Sequence, residues 1–80
     1  MKEYIATFHT HLAALMTSRE LTSRGVKAQM MPVPRKLSSS CGTCVRYLAE
    51  DAHLPAMDED VEAVYEKIGK EEYTLLMNAD

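Results

Sequence analysis

The chain has 80 residues, is 46% apolar, and carries a formal net charge of −3 with two cysteines. At that length it reads as one domain over residues 1–80 with a thin core, burying about 60–65% of the surface that its unfolded chain exposes. No run of about 18 apolar residues occurs and the first residues lack the apolar centre of a signal peptide, so no membrane span is expected and the expected location is cytoplasmic.

In chain order, residues 4–8 are short, apolar and β-rich and predict a first, central strand. Thr10 can cap a helix running over residues 11–24, which Gly25 ends. On that helix Ala13, Ala14, Thr17 and Leu21 share one face, small enough to sit close to a sheet, while Leu12, Leu15 and Met16 spread around the other side as a core edge or a dimer surface. Residues 26–31 alternate as a second strand, stopped by Pro32 and Pro34, which have no ladder hydrogen bond to donate. A polar connection covers residues 35–40. Residues 45–48 predict a third strand and 49–55 an acidic loop.

Asp58 is a good helix N-cap, and Glu59, Asp60 and Glu62 follow where a helix dipole favours negative charge. Val61, Val64, Tyr65 and Ile68 follow helical spacing and Gly69 closes the segment, which predicts a second helix. Residues 73–77 predict a fourth strand. The expected fold is therefore α+β: a ferredoxin-like βαββαβ sandwich with a four-stranded antiparallel sheet and two helices on one face.

The charge is unevenly distributed. Residues 1–46 hold seven Lys/Arg against two Asp/Glu, a net +5, and residues 47–80 hold two against ten, a net −8. The stretch from Pro32 to Tyr47 contains both cysteines and belongs to the basic part. Small residues, Ser40 and Gly42, flank Cys41 and leave the sulfur open to approach. Arg35, Lys36 and Arg46 are close in sequence, and cations beside a thiol raise its thiolate fraction. Ser38, Ser39 and Ser40 add hydroxyls, and Gly42 exposes a backbone N–H. Together they describe a small anion cradle around a thiolate, persulfide or perselenide.

Cys44 completes a Cys-x-x-Cys, which can switch between dithiol and disulfide. A strand is expected to follow it, however, and in an extended segment residues i and i+3 point to opposite faces. Cys44 is thus either a redox partner of Cys41 or a small buried apolar residue. Permanent disulfides are not expected in the cytoplasm.

Two cysteines with His9 and His11 would match a zinc site in number, but nothing in the sequence places those histidines beside Cys41, and no metal is assigned. His9 and His11 read as polar residues at the helix start, and His53 as surface. No Gly-x-Ser-x-Gly elbow or phosphate-binding glycine loop occurs. The basic part lacks interleaved aromatics, and the acidic part repels phosphate, so nucleic acid is not an expected partner.

Residues 32–42, Pro-Val-Pro-Arg-Lys-Leu-Ser-Ser-Ser-Cys-Gly, resemble the central motif of a family of small bacterial proteins called selenium/sulfur-carrier-like. Residues 8–13, Phe-His-Thr-His-Leu-Ala, resemble its other recurrent segment. The resemblance implies a carrier or transfer module more than a stand-alone enzyme. Cys41 would hold sulfur or selenium covalently, with no other cofactor, and Arg35, Ser38 and Gly42 match the motif around it, with Arg46-Tyr47 resembling its Arg-aromatic ending. Donor and acceptor proteins would be its partners, and a homodimer is a further option. Cys44 departs from the pattern, which leaves a Cys41/Cys44 dithiol module and a non-catalytic interaction domain as the alternatives.

Overall fold

Lys2–Phe8 forms β1, the central strand of the sheet, and every residue from Tyr4 to Phe8 is buried. In the computed structural model, which describes residues 1–79, β1 is followed by α1 (His11–Ser23), β2 (Lys27–Pro32), β3 (Thr43–Ala49), a single helical turn (Leu54–Ala56), β4 (Val61–Lys67) and β5 (Tyr73–Asn78). The sheet is antiparallel throughout, in the order β2-β3-β1-β4-β5. Since β1 and β2 both run against β3, they are parallel to each other, and α1 makes the crossover between them with β3 inserted in the gap.

Local chemistry sets both ends of α1. Thr10 is extended, and its Oγ1 accepts from the Ala13 N–H at 3.0 Å, satisfying one of the free donors of the first turn. At the other end the Val26 N–H donates to Leu21 O and the Gly25 N–H to Thr22 O. This double bond pattern needs a left-handed residue at its centre, and Gly25 supplies it with φ +81°. The buried face is Ala13, Ala14, Thr17 and Leu21, as the spacing predicts, and the small residues let α1 lie close to the sheet.

Tyr4, Ala6 and Phe8 on β1, Val45, Tyr47 and Ala49 on β3, and Val61 and Val64 on β4 form the core under α1. Side chains alternate along a strand, so Ile5, Thr7, Cys44 and Ala63 face away from α1. They are buried too. Part of their cover is the connection between β2 and β3, since Ser38 stands with Thr7 and Ala63 around one cleft.

The expectation of four strands and two helices is corrected: among the described residues there are five strands and one α-helix. The segment predicted as the second helix is β4. Phe8 pairs with Val61 while Thr7 pairs with Ala63, leaving Glu62 as an extra residue in a β-bulge. The bulge breaks the period of two, so Val61 and Val64 both reach the core at a separation of three residues. That separation reads as helical. Asp58 behaves as expected of a capping residue, but it caps a turn: its Oδ1 accepts from the Asp60 N–H at 3.0 Å and its carbonyl accepts from the Val61 N–H. β1 would otherwise present an unpaired edge, and β-branched and aromatic Val61, Val64 and Tyr65 favour the strand that fills it. Gly69, expected to end a helix, lies instead between β4 and β5, where the Ile68 N–H donates to Glu72 O at 2.9 Å.

The acidic segment between β3 and β4 is tied down at two points. The Tyr47 hydroxyl donates to the Ala52 carbonyl, and the Asp58 N–H donates to the buried Thr17 hydroxyl of α1. No helix among the described residues is long and apolar enough to cross a membrane.

Candidate functional site at the cysteine loop

Residues 33–42 leave β2 and return to β3 as a loop closed at its base by the Val33 N–H donating to Gly42 O at 3.1 Å. Gly42 has φ +73°, a conformation that a side chain makes costly, and the chain turns there into β3. A second turn closes at the tip, where the Leu37 N–H donates to Pro34 O. Arg35 and Lys36 occupy that tip and are exposed. No hydrogen bond or ion pair among the described residues joins either to Cys41. Arg46 lies on the face of β3 that carries Cys44 and pairs with Glu3 at 2.7 Å.

Three serines precede Cys41 and play three parts. Ser38 lines a cleft on the sheet's second face. Ser39 donates its hydroxyl to Phe8 O at 2.8 Å, which fastens the loop to the end of β1, and its Oγ is 3.8 Å from Cys41 Sγ. Ser40 is clamped by Glu62: its N–H reaches Oε1 at 3.1 Å and its hydroxyl reaches Oε2 at 2.7 Å. Cys41 itself is half-buried, and its Sγ lies 3.5 Å from the Thr43 carbonyl.

The β-bulge explains why Glu62 can do this. The extra residue re-aims its side chain toward the loop instead of along the sheet's alternation. Partial burial pushes the Glu62 carboxyl up, but the hydrogen bonds from Ser40 and Ser39 and the charge of His9 outweigh it and hold it below the usual carboxylate range. Since the folded value lies below the unfolded one, the stability it contributes is present above the ordinary value of 4.5 and is lost as pH falls through the folded value. Glu62→Gln is therefore expected to cost about 1–2 kcal/mol at pH 7. The difference from wild type should vanish in urea melts repeated in strong acid. A difference that persists at low pH would mean that packing, not charge, is what the substitution removes.

Of His9 and His11, which the sequence alone does not bring to the cysteine, the first reaches the loop that holds it and the second reaches the start of β3 just beyond it. His9 Nδ1 lies 3.4 Å from Ser40 Oγ and 3.4 Å from Glu62 Oε2, and His11 Nδ1 lies 3.4 Å from Thr43 Oγ1. The two histidines thus bracket Cys41 through its neighbours. No cluster of three or more His, Cys, Asp or Glu arranged to hold a metal ion is found among the described residues.

Cys44 is in a different environment. It is fully buried on β3, opposite Thr7 on one side and Met31 on the other. Burial, and to a lesser degree the charge of Cys41, pushes its thiol up to about 11. Both cysteines are free.

A half-exposed cysteine in a Pro-Arg…Ser-x-Cys-Gly loop, braced by serines, is the feature against which similarity has to be judged. The family described as "Putative Se/S carrier protein-like" matches residues 3–74, which include β1 from Glu3 onward, α1, the whole loop and β4. The chain belongs to this family. Among curated proteins, this carrier-like chain is similar to "Uncharacterized protein YtiA" of Escherichia coli (strain K12), with 31% identity over 45 residues. That alignment covers 56% of this chain and 53% of the relative, so the chain spans about half the length of the curated relative that it matches. No solved structure matches it significantly.

Proposed function

We propose that this Se/S-carrier-like protein carries a sulfur or selenium atom on Cys41 and passes it to a partner. The observation behind this reading is the division between its thiols. Cys41 is half-buried in a loop with a hydroxyl 3.8 Å from its sulfur, whereas Cys44 is sealed in the sheet. Membership of a family named for selenium and sulfur carriage supports the same assignment.

In the loading step the Cys41 thiolate attacks the outer sulfur of a donor persulfide. A bond forms between Sγ and that sulfur, the donor S–S bond breaks, and the donor thiolate leaves with the bonding pair. Cys41–S⁻ and R–S–SH become Cys41–S–SH and R–S⁻, with no net oxidation. A donor R–S–SeH gives Cys41–S–SeH by the same displacement. Delivery is the same exchange onto a nucleophile of the acceptor.

Ser39 places its hydroxyl 3.8 Å from the sulfur, but its proton is given to Phe8 O. In loading, that O–H turns from Phe8 O toward the anionic persulfide and speeds the exchange. Arg35 and Lys36, exposed at the tip of the loop, supply positive charge that attracts anionic donors. Gly42 gives the loop its turn, and Ser40 ties it to Glu62. Leu12 and Met16, exposed one turn apart on α1, give donor and acceptor proteins an apolar foothold beside His11.

The test is mass spectrometry after incubation with a small-molecule persulfide. The expected product is a single added sulfur on Cys41, absent in Cys41→Ser, retained in Cys44→Ala, and formed more slowly in Ser39→Ala. Leu12→Asp should leave this loading unchanged and slow only exchange with a protein donor or acceptor. Loss of two hydrogens within one chain, with no sulfur retained, would instead assign a Cys41/Cys44 dithiol module. Cys44 makes that outcome the weaker reading, because its sulfur would have to leave the buried face of the sheet.

A further inference from the structure

The second face of the sheet holds a polar cleft of about 160 Å³ lined by Thr7, Ser38, Glu62, Ala63, Tyr65 and Asn78. Five of these six residues carry a side-chain oxygen. Thr7 is 1% exposed, and its Oγ1 has no hydrogen-bond partner among the described residues. A buried hydroxyl without a partner is costly, about 1–3 kcal/mol, and is uncommon unless something else satisfies it. Valine would fill the same place on a β-strand without that cost.

The charge in the cleft narrows what can enter. Glu62 is the only carboxylate among the described residues that line it, and the hydrogen bonds from Ser40 and Ser39, with His9 beside its Oε2, favour its ionised form. An anion is repelled. One carboxylate among neutral oxygens is also too little charge to strip the water from a divalent cation. A primary ammonium group carries one positive charge and three N–H donors, and matches one carboxylate plus two hydroxyl or amide oxygens.

We infer that this cleft is a binding site for a small primary ammonium compound, with Thr7 Oγ1 and the Glu62 carboxylate as its acceptors. The site lies under the cysteine loop, since Ser38 is part of its wall and Glu62 also clamps Ser40. It does not depend on what Cys41 carries.

The probe is ethanolamine at pH 7, titrated into isotopically labelled wild-type protein at constant ionic strength and followed by amide chemical shifts. The expected result is saturable shifts at Thr7, Ser38 and Ala63 in the millimolar range, with none from acetate, acetamide or potassium chloride at equal concentration. Thr7→Val should fold, and should lose the saturable shifts by at least tenfold in affinity. Linear, non-saturating shifts with ethanolamine, equal binding of acetate or potassium, or unchanged binding in Thr7→Val would each overturn the assignment. The ligand comparison on wild-type protein stands by itself if Thr7→Val does not fold.

Discussion

Iodoacetamide at pH 7 is expected to modify one thiol per native chain, and that thiol is Cys41. The argument is a difference between two environments three residues apart. With its thiol at about 11, Cys44 is thiolate in about one chain in ten thousand at pH 7, against about 3% for an ordinary cysteine near 8.5. It also has no exposed surface, so the reagent reaches it only when β3 opens. Cys41→Ser should therefore lower the native alkylation rate by at least about a hundredfold. Cys44→Ala should leave the rate within about twofold of wild type, since the polar approach of Cys44 Sγ is to Pro32 O on β2, at 3.8 Å, and not to the loop. Adding denaturant should expose the second thiol at once. Two thiols reacting at similar rates in the folded protein would remove the basis for treating Cys41 as the carrier and Cys44 as part of the core.

Whether a feature could be read from the sequence depended on how far apart its parts lie along the chain. α1 was legible because its signals are local: Thr10 three residues from the donor it satisfies, Gly25 at the turn it permits, and Ala13, Ala14, Thr17 and Leu21 on one face. The cysteine loop was legible as a stretch for the same reason, with its prolines, basic pair, serines and glycine written consecutively. β4 was not. A single bulge at Glu62 converts an alternating strand into an i, i+3 pattern, and an aspartate that begins a turn uses the same chemistry as one that begins a helix. The second set of site residues follows from that strand. Glu62 meets Ser40 across 22 residues, and His9 meets it across 31. Neither contact has a local signature: the first depends on β4 pairing with β1 instead of coiling above it, and the second on the loop being fastened to the end of β1 through Ser39. Thr7 was hidden for a further reason: in sequence it is one polar residue in an apolar strand, and only the sheet places its buried hydroxyl beside a cleft.

The largest effect on stability is expected at Tyr47. It is the largest fully buried side chain, stacked on Tyr4 with ring centroids 5.2 Å apart, and it lies on β3 three residues beyond Cys44. Tyr47→Ala removes the ring and leaves a cavity that the flanking strands cannot close, at a cost of about 3–5 kcal/mol. For a domain of this size that lowers the melting temperature by about 12 °C or more, and a thin core has little stability in reserve. Tyr47→Phe keeps the ring and gives up only the hydroxyl's bond to the Ala52 carbonyl, for about 0.5–1.5 kcal/mol. Thermal melts of the two variants separate the contributions of ring and hydroxyl. The hydroxyl also has a local task, since Ala52 lies on the segment that leads to Asp58 and then to Glu62. Tyr47→Phe should therefore speed hydrogen exchange along residues 50–60 while leaving α1 protected. If Tyr47→Phe lowered the melting temperature as far as Tyr47→Ala, the hydrogen bond to Ala52, not the packing under α1, would be what holds this side of the sheet together.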